Sequence, residues 1–162
     1  MPTDRQITCR PLVPADRPAL AAAFGDWILR LRELHFEPGC YTIGAFDGDT
    51  PIGFVSVYPK ALPAPLSIND AYIDVIEVAR AYRRQGVART MLSMSEDWAR
   101  AQGYSQMRAW STEDKIEAIP MWHALGYGLC PVYSGRPRRK SPNGYYVAKA
   151  LSAQHAPRGD LG

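Results

Sequence analysis

The segment Val78 to Arg89 (VARAYRRQGVAR) carries a strand-like pattern through an arginine-rich turn into a helix-like one. The chemistry open to it is anion binding. The first amides of a helix have no internal acceptors and point outward. The macrodipole adds positive potential there, about 0.3–1 kcal/mol for each favourable charge contact at an exposed site. Gly86 has no β-carbon and Ala88 is small, so a bulky pyrophosphate could reach the backbone. Arg83, Arg84 and Arg89 add forked donors, with Gln85 and Val87 in the same turn. Neither GxxxxGKS/T nor GxGxxG occurs, so this is no Walker loop or dinucleotide fingerprint. Spacing alone leaves a second reading open, a solvated basic turn before an ordinary helix.

Such a turn needs a strand before it and a helix after it. Ala71 to Ala79 (AYIDVIEVA) is rich in β-branched residues and predicts a buried strand. From about Gly86 to Gln102, Val87, Met91, Met94 and Trp98 recur at helical spacing and predict a core stripe, with Gly103 as the left-handed cap. Upstream, Gln6–Val13 predicts a strand. Ala15 to about His35 predicts two helices parted near Gly25. Tyr41–Phe46 and Ile52–Tyr58 predict a hairpin turning at Asp47-Gly48-Asp49, followed by a loop from Lys60 to Ser67. Downstream, Ser105–Trp110, Tyr127–Tyr133 and Tyr145–Lys149 predict strands, with a short helix between Ile116 and Leu125. Pro120 in that helix requires a late start or a distortion. The order predicts a layered α/β or α+β sheet of mixed direction, with parallel crossovers in its two strand–helix–strand passages.

With 162 residues, 46% hydrophobic and 22% charged, the chain suits one ordinary domain, here 1–151 with a tail at 152–162. No apolar run reaches the roughly 18 residues of a spanning helix. MPTDRQITCR has no signal-like apolar core, which points to the cytoplasm. Cys9, Cys40 and Cys130 lack metal or disulfide spacing, and three scattered histidines suggest no metal. The net charge of +3 does not by itself point to nucleic acid. Only Asp160 of the 16 acidic residues follows Glu117, so the C-terminal third is basic, most of all at Arg136-Pro137-Arg138-Arg139-Lys140. Such a run is usually a solvated loop.

Arg83-x-x-Gly86-x-Ala88 resembles the signature of the GNAT superfamily of N-acetyltransferases: Arg or Gln, two residues, Gly, one residue, then Gly or Ala. Ile76 and Val78 fall at the hydrophobic strand positions before it. Ala118 to Tyr127 (AIPMWHALGY) resembles the family's second segment, Ile7 to Leu20 its opening and Gly144 to Lys149 its last strand. The resemblance covers roughly residues 6–150. It implies a mixed, largely antiparallel sheet of about seven strands, helices on both faces, and a parallel central pair splayed to admit acetyl-CoA. The bend is expected around Ile76 to Val78, opposite Ser105 to Trp110.

The resemblance also implies the chemistry. The pyrophosphate would rest on the loop from Arg84 to Arg89, and Ile76 and Val78 would meet the pantetheine arm. An amide near Val78 would face the thioester oxygen, a fixed donor being worth several kcal/mol where charge develops. An amine of pKa near 10.4 must lose a proton to attack. Glu77 is the candidate base and Asp74 the alternative; an undistorted strand would send their side chains to opposite faces. A salt bridge from Glu77 to a nearby arginine is the competing reading. Trp122 stands where the family usually has a tyrosine that protonates the thiolate, and an indole N–H cannot act as that acid. Trp122 then reads as an aromatic wall of the cofactor site, leaving Tyr82, Tyr127, Tyr133 and Tyr145 as acids to weigh. The expected function is acetyl-CoA-dependent N-acetylation of a small-molecule or protein amine. A non-catalytic acyl-CoA sensor is the alternative, and a homodimer is expected only by analogy.

Overall fold

The computed structural model describes residues 6–61, 69–112, 117–133 and 143–151. Its seven strands are β1 (Ile7–Pro11), β2 (Tyr41–Asp47), β3 (Thr50–Ala61), β4 (Asn69–Val78), β5 (Gln106–Thr112), β6 (Gly128–Val132) and β7 (Gly144–Ala150). They form one sheet in the order β1-β2-β3-β4-β5-β7-β6, parallel at β4–β5 and antiparallel elsewhere. This is the expected mixed sheet with a parallel central pair. Only the first crossover joins neighbours. β5 and β6 run the same way, but β7 is inserted between them and pairs with both.

Helices cover both faces. α1 (Arg17–Phe24) and α2 (Trp27–Arg30) are parted at Gly25, as expected, and bury Leu20, Ala21 and Ile28 against Leu12, Phe46 and Phe54. The second helix is only one turn long. The Arg17 guanidinium donates to the carbonyls of Ile28, Leu31 and Leu34 at 3.2–3.3 Å, so residues 31–35 are held as an irregular strap. On the other face lie α3 (Val87–Ala101) and α4 (Ala118–Ala124). Val87 and Met91 are buried as the stripe predicted, while Met94 and Trp98 pack partly buried, Trp98 stacking on Tyr41 at 5.3 Å. Pro120 is the third residue of α4, within the first turn, where a missing amide breaks no internal bond.

One expected boundary moves, and a charged residue of α3 is buried. β3 continues through Pro59, Lys60 and Ala61 because these stay paired with Ala71, Asp70 and Asn69; the rest of the expected loop lies outside the described residues. Glu96 of α3 is buried, accepting from Tyr127 Oη at 3.0 Å and from Lys149 Nζ at 2.9 Å, while Lys149 also donates to Leu125 O at 2.9 Å. This cluster ties α3, the end of α4 and β7 together, and burying either charge alone would be costly.

Candidate active site

The turn after β4 is a short 3-10 helix, Arg80–Tyr82, then Arg83 to Gly86 leading into α3. Arg84 has φ +63° and Gly86 φ +83°. A non-glycine residue in the left-handed region costs about 1–3 kcal/mol and persists only when its surroundings enforce it. The enforcing contacts are visible. Arg83 Nε donates to Val78 O at 3.0 Å and Nη2 to Glu77 Oε1 at 3.1 Å, while Nη1 lies 3.5 Å from Glu117. Gln85 Nε2 donates to Ala81 O at 2.8 Å, and Tyr82 Oη to Asp47 at 2.6 Å. Arg83 and Gln85 therefore brace the turn, and all four of Arg83, Arg84, Gln85 and Arg89 are exposed.

The first helical bond runs from Thr90 N to Gly86 O at 2.9 Å, so the amides of Val87, Ala88 and Arg89 precede the ladder and face outward. A β-carbon placed on Gly86 would meet nothing within 4 Å, so the turn is open beside Gly86. Three outward amides at a helix start suit an anion such as a pyrophosphate by charge.

Beside the cradle the sheet parts. β4 pairs with β5 only at Ala71, Tyr72 and Ile73. From Val75 to Val78 the strand keeps β3 but, like Asp74, has no β5 partner. The departure begins at Asp74, earlier than the Ile76–Val78 bend expected from the resemblance. Its cause is a bulge: Val57 pairs with Ile73 and Ser56 with Val75, leaving Asp74 as an extra residue. Ala79 N donates to Ile52 O of β3, so by strand alternation the amides of Val78 and Ile76 point the other way, into the opening. Trp122 of α4 is buried, 5.0 Å from the Tyr127 ring, with its indole N–H unpartnered among the described residues.

Both candidate carboxylates lie on the α1–α2 face. Glu77 pairs with Phe54, which packs under α1 and α2. Asp74 reaches His35 of the strap, with Nε2···Oδ2 at 2.7 Å. Glu77 is thus in the salt bridge that competed with a catalytic role. The His35 ring lies 4.4 Å from Tyr58, which meets Tyr72 edge-on at 5.6 Å. Burial, and then the Asp74 charge, push both phenols above their ordinary range. Asp70 and Arg108 form an ion pair below these rings, and Lys60 Nζ lies 3.8 Å over Tyr72.

Of the tyrosines weighed as acids, Tyr82 is bound to Asp47, and Tyr127 is buried and donates to Glu96. Burial drives the Tyr127 phenol far above its usual range. Tyr133 is 60% exposed, and Tyr145 is packed against the core opposite Ser111. The run Arg136–Lys140 lies outside the described residues. His35, Glu37, Tyr58 and Tyr72 went unnoticed in the sequence because no motif links them; only the bulge and the strap bring them together.

Comparisons with known proteins agree with this fold. Residues 6–127 match the family model described as Acetyltransferase (GNAT) family. A GCN5-related N-acetyltransferase from Kribbella flavida superposes with TM-score 0.66 at 23% identity, over 90% of this chain and 98% of that one. Nourseothricin acetyltransferase gives TM-score 0.65 at 22% identity, over 90% and 99%. Naa50 of Arabidopsis thaliana, in complex with the bisubstrate analogue CoA-Ac-MVNAL, gives 0.64 at 14% identity, over 88% and 97%. A comparison with curated proteins gave no match.

Proposed function

We propose that this chain, which belongs to the acetyltransferase (GNAT) family, transfers the acetyl group of acetyl-CoA to a primary amine by direct attack. The observation that carries this reading is the adjacency of an outward-facing amide cradle at Val87–Arg89 and an opening in the sheet that starts at Asp74. Acetyl-CoA would supply an acyl group activated as a thioester. The amides of Val87, Ala88 and Arg89, with Arg84 and Arg89, would hold its pyrophosphate. Ile76 and Val78 would offer strand amides to its arm, and one of them a donor to the acyl oxygen. Trp122 would wall the arm and offer its unused indole N–H.

With α3 and α4 covering one face, the amine would reach the opening from the other, where Asp74 and Glu77 lie. Asp74 is the better base, since Arg83 occupies Glu77. Positioning of amine and acyl group supplies much of the acceleration, and no covalent enzyme intermediate is needed. Both small molecules and protein amines fit as acceptors: one similar structure is named for nourseothricin and another holds a peptide-bearing bisubstrate analogue.

Thioester consumption with a panel of small amines and peptides tests the activity, and calorimetry with CoASH tests the site. Binding with turnover is expected. Binding without turnover would favour the sensor, a reading supported by Trp122 at the usual tyrosine position, and no binding would overturn both.

A further inference from the structure

We propose that Asp74, His35 and Glu37 form a proton relay that takes the proton of the acceptor amine at Asp74 and releases it to solvent at Glu37, an inference that rests on the amine-acetylating function argued above. Asp74 occupies the bulge where β4 leaves β5, at the edge of the opening. His35 Nε2 is 2.7 Å from Asp74 Oδ2, and His35 Nδ1 is 4.0 Å from Glu37 Oε2. The Asp74 and His35 side chains are 26% and 21% exposed, whereas Glu37 is 73% exposed. The three groups therefore run from the opening to water.

The imidazole is held from several sides. His35 N donates to Ser56 Oγ of β3 at 2.9 Å, and His35 O accepts from Thr42 Oγ1 of β2 at 2.5 Å. Tyr58 of β3 covers the ring, and Tyr72 and Asp74 of β4 lie beyond it. Arg108 of β5 acts electrostatically on both tyrosines, and Cys40 of the same loop sits against Glu37. A hydrogen bond from its own backbone amide, and then the charge of His35, hold the Glu37 carboxyl below its ordinary value, so it stays ionised at neutral pH.

The step balances without any co-reactant. An N–H bond of the ammonium breaks, its electron pair stays on nitrogen, and an O–H bond forms on Asp74. At rest His35 Nε2–H donates to the Asp74 carboxylate. Once Asp74 holds the amine proton, exchange with water moves the ring hydrogen from Nε2 to Nδ1. Nε2 then accepts the proton of Asp74 as Nδ1 gives up its own to Glu37 or water, which restores the resting tautomer. A carboxylate of ordinary pKa near 3.9 is a poor resting place for a proton from an amine near 10.4, whereas imidazole near 6.5 lies between them.

The test uses acetyl-CoA with propylamine, putrescine and tyramine, followed by thiol release across pH, and calorimetry with CoASH. Asp74→Asn should lower kcat/KM by about 10²-fold. His35→Gln, which still offers Asp74 a donor, should lower it by about 10-fold and remove the acid-side inflection of the pH profile. Glu37→Gln should move that inflection to lower pH by removing a charge that favours imidazolium. Added imidazole should restore His35→Ala, and CoASH affinity should be unchanged in all four variants. An unaltered pH profile in His35→Gln, or no imidazole rescue, overturns the relay. So does a wild-type protein that binds CoASH and consumes thioester with none of these amines, a result that leaves the cofactor site intact. Failure of CoASH to bind overturns the function on which the relay rests.

Discussion

Asp74 and Glu77 stand three residues apart on β4 and lie on the same face of the sheet. In a regular strand that spacing would send them to opposite faces. The bulge at Asp74 adds one residue and cancels half a period, so a single insertion decides which acids face the α1–α2 side. The two then differ in their partners, an imidazole for Asp74 and a guanidinium for Glu77.

Glu77→Gln should act on the cradle more than on proton transfer. It removes one side of a half-exposed pair with Arg83, worth about 0.2–1 kcal/mol, so CoASH affinity should fall by no more than about 5-fold. The shape of the pH–rate profile should stay that of the parent. Loss of the acid limb in this variant would restore Glu77 as the base.

Gly86→Glu should abolish CoASH binding in calorimetry while circular dichroism stays native. The substitution forces a side chain into the left-handed region at about 1–2 kcal/mol and puts bulk and negative charge into the open cradle. Gly86→Ala carries the backbone cost without the charge and should retain weakened binding. Equal affinity in all three proteins would remove the cradle from the site.

Trp122→Phe separates the site from the core. The indole N–H has no partner among the described residues, so its loss should leave thermal stability within about 1 kcal/mol, the lost volume being offset by removal of an unsatisfied donor. CoASH affinity should fall about 3- to 10-fold if that donor serves the cofactor. A large drop in melting temperature with unchanged affinity would make Trp122 a core residue and nothing more.

Tyr127→Phe probes the buried cluster through pH. The native phenol has a raised pKa, so its contribution is fully present below the unfolded value near 10 and is lost as pH rises above that. At neutral pH the variant should lose about 1.5–3 kcal/mol, the worth of a hydrogen bond to the Glu96 carboxylate. Denaturant titrations should show this gap narrowing above pH ~10. A constant gap would mean that the phenol ionises equally in both states.

Much of the architecture was legible because periodicity and turn chemistry are local. The stripe through Val87 and Met91, the break at Gly25 and the cap at Gly103, with φ +83°, each follow from side-chain spacing or from a backbone angle glycine tolerates. The anion cradle was legible for the same reason, since a strand, an arginine-rich turn and a helix start lie together in the sequence. Whether Arg83 would face outward or fold back was not, because its partners are Val78 O, Glu77 and Glu117.

The sequence by itself therefore determined the order of elements, the left-handed cap at Gly103 and the family pattern over Arg83–Ala88, all of which depend on neighbours within one helical turn or one strand pair. Only the tertiary structure decided that β4 slips by one residue at Asp74 and that His35, 39 positions earlier, meets its carboxylate. Those outcomes depend on how Arg17 folds the strap and how Thr42 and Ser56 grip its end, contacts between segments far apart in the chain that no local pattern encodes.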